Sequence, residues 1–244
     1  MNKNNCSALI LGATGATGNY LLKELLASPH FDRVTAITRR PLNEHKKLTN
    51  IVWPDFSNTL LTKEITVLDA FNGHEAIFCC LGAPESALLK LFLGSSKARN
   101  LFELIDLNCV VAAATAAYNT GTKHISVISS PGADIKSWFS YLKFKGQMEI
   151  AVSDLGFDGV SIFKPYHLMK PAKVEHKGCK RLLKNFISWI ASIMPAKQKA
   201  MKVETLARAI NLEYKKRLNG DSTGNKSYLA DDIRNLLDDA DMEC

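Results

Sequence analysis

Two side chains near the middle of the chain, Tyr141 and Lys145, have the types and the spacing that proton transfer requires. Residues four apart share one face of a helix, so both side chains are expected to project toward the same cleft. A nearby ammonium lowers the pKa of a phenol from its reference value of about 10, which lets tyrosine donate and accept a proton near neutral pH. Tyr166 and Lys170 have the same spacing, but they lie between two prolines, where a regular helix is disfavoured. The sequence therefore favours Tyr141 and Lys145 as the catalytic pair.

Two hydroxyl groups precede this pair. Ser129 and Ser130 follow the apolar run His124–Ile128, which predicts a strand. Ligands bind at the carboxyl ends of strands in open α/β sheets, so either serine is placed to contact a substrate. A serine-rich turn without a ligand has the same composition. Both serines are candidate catalytic residues.

The scaffold for these side chains begins with a glycine-rich turn. The apolar run Ala8–Leu11 precedes it, and apolar residues at helical spacing follow it, which predicts a strand, a tight turn and a helix. Glycine lets the backbone approach a ligand closely, and the free N–H groups at the start of a helix attract an anion, so a dinucleotide pyrophosphate is expected there. The glycine spacing is a variant of the usual fingerprint, and an ordinary strand-to-helix loop is the alternative. The predicted cofactor-binding residues of the turn are Gly12, Ala13, Thr14, Gly15, Ala16, Thr17 and Gly18.

Arg39 and Arg40 end the second predicted strand, Val34–Thr38. At this position of a dinucleotide-binding fold, an acidic residue bonds the 2′-hydroxyl of NAD, whereas an arginine accommodates the 2′-phosphate of NADP. A guanidinium pairs two phosphate oxygens at once. The two arginines favour NADP(H) over NAD(H), with a solvated basic turn as the alternative.

Three further strand ends supply candidate cofactor contacts. Asp55, after the strand Asn50–Trp53, is placed either to bond the adenine amine or to cap the next helix. The continuous apolar run Ala76–Gly82 is typical of the middle of a parallel sheet. The strand Gly159–Lys164 ends at a proline. The candidates from these ends are Asp55, Phe56, Cys80, Leu81, Gly82 and Pro165.

The alternation of strand and helix patterns predicts an α/β fold with a doubly wound parallel sheet. A chain of 244 residues suits one domain, with residues 1–168 as a dinucleotide-binding core and residues 169–244 as a C-terminal cover over the cleft. That cover contains helical patterns at Arg181–Met194 and Val203–Leu218, a short strand near Ser227–Leu229 and a final helix from Asp231. Residues 83–98 are expected to form a functional loop, and residues 101–118 a long helix.

Composition excludes several classes of protein. A hydrophobic content of 46% with 23% charged residues is ordinary for a soluble globular chain. The apolar run Phe186–Met194 is far shorter than the roughly 20 residues of a membrane span, so no transmembrane segment is expected. The six cysteines form no C-x-x-C pair and no metal-ligand spacing, which predicts no metal site and a reducing, cytosolic location. The adjacent Cys79 and Cys80 are interpreted as packing residues rather than a redox sensor.

The net charge of +7 is concentrated late in the chain. This pattern suits an anionic small molecule, a membrane surface or a nucleic acid, but no nucleic-acid module accompanies it, so nucleic-acid binding is not expected. A solvated face near an anion-binding cleft is favoured. The basic residues are Lys170, Lys173, Lys177, Lys180, Arg181, Lys184, Lys197, Lys199 and Lys202.

The order of these motifs along the chain resembles that of the short-chain dehydrogenase/reductase superfamily. The motifs are the glycine turn, the arginine pair, the run Cys79-Cys80-Leu81-Gly82, the two serines and the Tyr141/Lys145 pair. The Cys-Cys-Leu-Gly strand end and the sequence Tyr-Leu-Lys-Phe-Lys-Gly at 141–146 resemble more closely its atypical branch with the Tat-interacting-protein oxidoreductases. The resemblance extends from about residue 7 to residue 168.

The resemblance implies a Rossmann-like fold, bound NADP(H) and a small carbonyl-type substrate. It further implies that Tyr141 exchanges a proton with the substrate oxygen, that Lys145 holds the ribose and tunes the tyrosine, and that Ser130, or else Ser129, orients the carbonyl. Asn108 matches a superfamily asparagine on the long helix, and an amide on the surface of that helix is the alternative. Where relatives read Arg-Pro-Gly, this chain has Lys-Pro-Tyr at 164–166, which puts a phenol near the expected nicotinamide pocket. Family members are also described as regulators that bind NADPH and partner proteins, so a regulatory or scaffolding protein without turnover is the alternative function.

Overall fold

The computed structural model describes residues 6–62, 64–84, 86–166, 168–169 and 200–242. Its strands are β1 (Cys6–Leu11), β2 (Phe31–Thr38), β3 (Leu48–Val52), β4 (Ala76–Cys79), β5 (His124–Ile128), β6 (Gly159–Lys164), β7 (Leu168–Met169), β8 (Met201–Lys202) and β9 (Lys226–Leu229). Seven of them form one sheet in the order β3-β2-β1-β4-β5-β6-β9, and every neighbouring pair is parallel. The order reverses between β1 and β4, which is the Rossmann-like, doubly wound arrangement. The predicted fold class is confirmed.

Helices cover both faces of this sheet. They are α1 (Ala16–Ala27), α2 (Phe56–Leu61), α3 (Ile65–Phe71), α4 (Ser86–Phe92), α5 (Ser96–Phe102), α6 (Cys109–Asn119), α7 (Ser140–Ser153), α8 (Val203–Leu218) and α9 (Ala230–Met242). Because successive side chains of a strand point to opposite faces, Ala8 and Ile10 of β1 pack with α1 and α8, whereas Leu9 and Leu11 pack with α3 and α6. Two apolar cores therefore enclose the central strands, which explains their continuous apolar runs.

A single helical stretch of 24 residues, Ser96–Asn119, joins α5 to α6 through a π-helical turn at Glu103–Asn108. By length and composition it is the one helix of the described residues that is apolar enough to cross a membrane. In the fold it packs against the sheet, with Cys109, Ala113 and Ala117 fully buried in the second core. Packing on the sheet therefore accounts for its apolar composition.

Residues 83–98 differ from the predicted loop. They contain α4 and the start of α5, and Ala87, Leu91 and Ala98 form a small core with Phe102 and Phe144. Gly94, which has a positive φ of 81°, separates α4 from α5. Each apolar pattern on either side of it is too short to predict a helix from its periodicity.

The C-terminal elements also differ from the expected cover. Strand β9 extends the main sheet beside β6, and α8 packs on α1 with Leu206, Ile210 and Tyr214 buried against the sheet. Residues 203–242 thus contribute an edge strand to the sheet and helices that pack on its α1 side. The basic run from Lys170 to Lys199 and the helical pattern Arg181–Met194 lie outside the described residues. Strands β7 and β8, which flank that segment, pair with each other.

A buried polar network ties α8 to the amino-terminal edge of the sheet. The carboxylate of Glu213 is fully buried and accepts hydrogen bonds from Arg217 Nε (2.5 Å), Tyr228 Oη (3.1 Å) and Ser222 Oγ (3.2 Å). His124, the first residue of β5, lies with its Nε2 3.8 Å from the same carboxylate. Burial, together with the Arg217 charge, lowers the pKa of His124 well below its usual value, so this imidazole is neutral and the 3.8 Å contact is not an ion pair at neutral pH.

Candidate functional site

The glycine turn lies at the carboxyl end of β1, in the centre of the sheet. Gly12 has a positive φ of 77°, and a Cβ on it would lie 2.5 Å from the carbonyl oxygen of Cys80. A Cβ on Gly18 would overlap the Gly12 carbonyl oxygen, and the Gly15 N–H donates to that same oxygen at 2.9 Å. Only glycine fits the first and third positions, and α1 begins without a side-chain cap on its free N–H groups. The turn therefore has the shape and the donors that a pyrophosphate requires.

The other residues of the turn divide into two groups. Thr14 and Gly15 are exposed, as a ligand contact requires, and Ala16 is half-buried. Ala13 and Thr17 are buried beneath the turn, so their side chains support it.

Arg39 and Arg40 directly follow β2 and are both exposed. The turn that carries them is fixed by Thr38, whose Oγ1 donates to the carbonyl oxygen of Arg40 at 2.7 Å. Asn50 Nδ2 on β3 in turn donates to Thr38 Oγ1 at 2.9 Å. Two exposed guanidinium groups therefore lie on a fixed turn at the end of β2, the strand next to β1.

Asp55 and Phe56 follow β3, and the structure separates their roles. The Asp55 side chain is exposed and accepts a hydrogen bond from Asn58 Nδ2 at 2.7 Å, without capping the backbone of α2. Phe56 is buried and packs against Trp53, with ring centroids 6.1 Å apart. Asp55 therefore presents an exposed carboxylate just after β3, whereas Phe56 is a core residue.

Strand β4 ends at Cys79, three residues before the end of the apolar run Ala76–Gly82. Cys80, Leu81 and Gly82 form the loop that passes beneath the glycine turn, held by the hydrogen bond from the Cys80 N–H to the Leu11 carbonyl oxygen at 2.9 Å. Burial raises the pKa of the Cys79 thiol to about 12 and also raises that of Cys80. Both thiols thus stay protonated at neutral pH, which agrees with the interpretation as packing residues.

Lys145 is the most strongly constrained of the predicted site residues. Its side chain is 4% exposed, and its Nζ donates to Asp106 Oδ1 at 2.9 Å and to the Ile128 carbonyl oxygen at 2.9 Å. Burial is the largest single influence on this ammonium and by itself would lower its pKa, but the charge and hydrogen bond of Asp106, together with Tyr141 and Cys79, raise the pKa above its ordinary value. Lys145 therefore carries a full charge at the carboxyl end of β5.

Tyr141 lies one helical turn before Lys145 on α7, as the spacing predicted. Its ring is half-buried against Phe102 and Phe139, with centroids 5.5 and 6.2 Å away. The phenol also contributes to the raised pKa of Lys145, so the two groups are electrostatically coupled. The end of the motif, Gly146, is required for packing, since a Cβ there would lie 2.7 Å from the backbone of the loop at Asp134.

The two serines have different surroundings. Ser129 is buried, and its hydroxyl donates to Glu149 Oε1 at 2.5 Å, while Lys164 Nζ contacts the other oxygen of Glu149 at 2.7 Å. Ser130 is half-buried and makes only a long contact of 3.3 Å with the carbonyl oxygen of Pro131. The Ser129 hydroxyl is therefore held by a short hydrogen bond to Glu149, whereas the hydrogen bond of the Ser130 hydroxyl is long.

Two acidic residues of this site were missed by sequence reasoning. Asp106 pairs with Lys145, and Glu149 pairs with Ser129 and Lys164. Glu149 follows Lys145 by four residues on α7, so the helical spacing was a signal for it. Asn108, which the resemblance pointed to, is exposed on the outer side of its helix. The buried residue of this π-helical turn is Asp106.

Beyond β6, Pro165 is buried and Tyr166 packs against the core formed by β1, α1 and α8. Lys170, the partner of Tyr166 in the second Tyr/Lys spacing, lies outside the described residues. Pro165 thus borders the same edge of the sheet as the serines and the β4 loop.

A family model described as NAD(P)H-binding matches residues 12–177. The chain belongs to this NAD(P)H-binding family. The predicted resemblance is confirmed by protein HTATIP2 of Rattus norvegicus, which is 37% identical over 161 residues, or 66% of this chain and 62% of the rat protein. Protein FMP52, mitochondrial, of Candida glabrata is 33% identical over 174 residues, covering 70% of this chain and 68% of the yeast protein. The chain thus spans less than two thirds of the rat relative.

Solved structures share the fold of this NAD(P)H-binding protein. MoeE5 in complex with UDP-glucuronic acid and NAD superposes with a TM-score of 0.64 at 16% identity, covering 91% of this chain and 75% of MoeE5. The oxidoreductase ylbE from Lactococcus lactis gives a TM-score of 0.58 at 17% identity, and the superposition covers 95% of this chain and 97% of ylbE. At this identity the likeness concerns the fold.

The comparisons correct one prediction. The cysteine pattern predicted a cytosolic location, whereas the fungal relatives from Candida glabrata, Candida albicans and Emericella nidulans are named mitochondrial proteins. The prediction was wrong because free cysteines indicate a reducing environment but do not distinguish one reducing compartment from another.

Proposed function

We propose that this NAD(P)H-binding protein is an NADP(H)-dependent reductase that acts on the carbonyl group of a small molecule. The observation that carries the proposal is the buried Lys145 ammonium, fixed one helical turn from Tyr141 at the sheet edge that bears the glycine turn. A charged group is buried at such cost only where a specific arrangement holds it, and groups of this kind cluster at functional sites.

Each side chain has a role that follows from its surroundings. The nicotinamide of the bound dinucleotide would supply a hydride. Tyr141 gives a proton to the substrate oxygen, and the Lys145 charge favours the phenolate that remains. Ser130 donates to the carbonyl oxygen and orients it, whereas Ser129 and Glu149 hold the loop in place.

The preference for NADP(H) rests on the exposed Arg39 and Arg40 and on the absence of an acidic residue at those two positions. A carboxylate there would bond the ribose hydroxyls of NAD and repel a 2′-phosphate. Calorimetric titration with NADPH and NADH tests this directly. Tighter binding of NADH, or no heat with either coenzyme, would overturn the proposal.

Turnover is tested with the purified protein, NADPH and a panel of aldehydes and ketones, followed by the loss of NADPH absorbance. Tyr141→Phe should abolish turnover while the NADPH affinity stays close to that of the wild type. Tyr118→Phe is the matched control, because this exposed phenol packs on Phe157 away from the site. NADPH binding without turnover of any carbonyl would support the regulatory function instead.

A further inference from the structure

Asp106 and Lys145 are 39 positions apart in the chain but form a nearly dry ion pair. The side chains are 3% and 4% exposed, and Oδ1 and Nζ are 2.9 Å apart. Sequence patterns gave no reason to pair them. An isolated buried charge is costly, so the Lys145 ammonium depends on a counter-charge inside the fold.

The inward position of Asp106 comes from the π-helical turn Glu103–Asn108. In such a turn the hydrogen bonds run from residue i to i+5, which changes the residues that face the sheet and often marks a functional site. Of the six residues in this turn, Asp106 is the buried one. The irregular turn thus places a carboxylate where a regular helix presents a different side chain.

The second carboxylate oxygen fixes Asp106 to the β4 loop. Oδ2 accepts the N–H of Ala83 at 2.8 Å, and Oδ1 lies 3.7 Å from the position that a Cβ on Gly82 would take. Asp106 therefore joins the long helix, the β4 loop and α7 at one point. It does so directly beside the loop that was predicted to contact the cofactor.

The Lys145 ammonium is then held between two fixed oxygen atoms. An ammonium has three N–H donors, and Asp106 Oδ1 and the Ile128 carbonyl oxygen take two of them. Among the described residues these are its two oxygen partners, which leaves one donor for a hydroxyl group of a ligand. The position and direction of that donor are set by Asp106 on one side and by the end of β5 on the other.

We propose that Asp106 is a positioning residue for Lys145, the buried counter-ion that orients the ammonium and keeps it charged for proton transfer at Tyr141. This inference rests on the proposed reductase function of the same site. The Asp106 carboxylate acts through Lys145 and does not touch the reacting atoms. Without it, burial is the dominant influence on the ammonium, and Lys145 loses its proton at a lower pH.

The first test follows the Lys145 ammonium directly, without substrate or coenzyme. In protein labelled with ¹³C-lysine, the Lys145 signal is assigned as the one missing from Lys145→Arg, and its titration is followed by NMR. Wild-type Lys145 should titrate above the ordinary lysine value, and in Asp106→Asn it should titrate at least one pH unit lower. Asparagine keeps the size of the side chain and one oxygen acceptor. When that oxygen accepts the Ala83 N–H, an NH2 group faces Lys145, so the charge and the hydrogen bond to the ammonium are removed together.

Glu103→Gln is the matched control. It removes a carboxylate from the same π-helical turn, and among the described residues this carboxylate has no contact with Lys145. It should leave the Lys145 titration unchanged. A wild-type Lys145 that titrates at or below the ordinary value would overturn the proposal, even if Asp106→Asn fails to fold. An equal shift in the two variants would also overturn it.

The second test uses the pH dependence of kcat/KM with NADPH and a carbonyl that the wild type reduces. In Asp106→Asn the alkaline decline of activity should move to lower pH. The value of kcat should fall about tenfold or more, because general acid catalysis contributes roughly 10²–10⁴-fold to the rate and the variant loses part of that contribution. An unchanged pH profile in an active variant would contradict the positioning role. If the wild type reduces no carbonyl, the reductase proposal fails, while the NMR titration still decides the role of Asp106.

Discussion

Replacing Glu213 with glutamine should destabilise the fold far more than removing an exposed carboxylate from the same pair of helices. Glu213 is fully buried and accepts hydrogen bonds from Arg217, Tyr228 and Ser222. Glutamine keeps one oxygen acceptor of nearly the same size but removes the charge. The guanidinium of Arg217, whose side chain is 7% exposed, then remains buried without its counter-charge.

The size of the effect follows from this burial. Breaking a buried ion pair by removing one partner costs about 3–5 kcal/mol. In a protein of this length each kcal/mol lowers Tm by roughly 2–4 °C, so Glu213→Gln should lower Tm by about 6–20 °C. Asp239→Asn is the matched control, because Asp239 pairs with Lys216 at 2.8 Å but its side chain is 51% exposed. An exposed pair contributes about 0–1 kcal/mol, so the control should lose less than about 4 °C.

Thermal and urea unfolding followed by circular dichroism measure both variants. Replacing the pair together, as Glu213→Leu with Arg217→Met, should recover most of the loss, because apolar residues of similar volume need no counter-charge. NADPH affinity below the transition should stay unchanged in Glu213→Gln, since the network lies at the opposite edge of the sheet from the glycine turn. Equal losses in Glu213→Gln and Asp239→Asn would refute the reasoning that the buried pair contributes more to stability than the exposed one.

Three further outcomes are expected. Gly18→Ala should weaken NADPH binding about tenfold or more by calorimetry, because the added Cβ overlaps the Gly12 carbonyl oxygen and displaces the turn. Replacing Arg39 and Arg40 together by alanine should weaken NADPH binding roughly 10–150-fold and leave NADH binding nearly unchanged, since charged hydrogen bonds contribute about 1.5–3 kcal/mol. The pKa of His124 is lowered in the folded protein, so as the pH falls this imidazole is protonated in the unfolded chain before it is protonated in the folded one. The free energy of unfolding of the wild type should therefore be highest above about pH 6.5 and should decrease as the pH drops below that value. Urea unfolding at pH 7.5 and pH 5.5 should show this loss in the wild type and a smaller one in His124→Gln; an equal loss in both would contradict the assignment.

Local patterns were sufficient for most of the sheet. Strands β5 and β6 have the predicted bounds, and β9 begins one residue before its predicted start, because short apolar runs bounded by turn residues have few other ways to bury their side chains. Helix α8 likewise has its predicted bounds, Val203–Leu218. Its position on α1 comes from the structure, since the period of an apolar face shows that a helix packs but not against which surface.

The sequence by itself determined the features that depend on near neighbours. The glycine turn needs Gly12 and Gly18 because the backbone crosses itself within a few residues, and Tyr141 meets Lys145 because one helical turn separates them. Tertiary structure alone decided that Asp106 rather than Asn108 faces Lys145, and that Ser129 is committed to Glu149. These contacts join residues 20 to 39 positions apart. They depend on a π-helical turn and on the position of α7 beside β5, which no local pattern of residue types specifies.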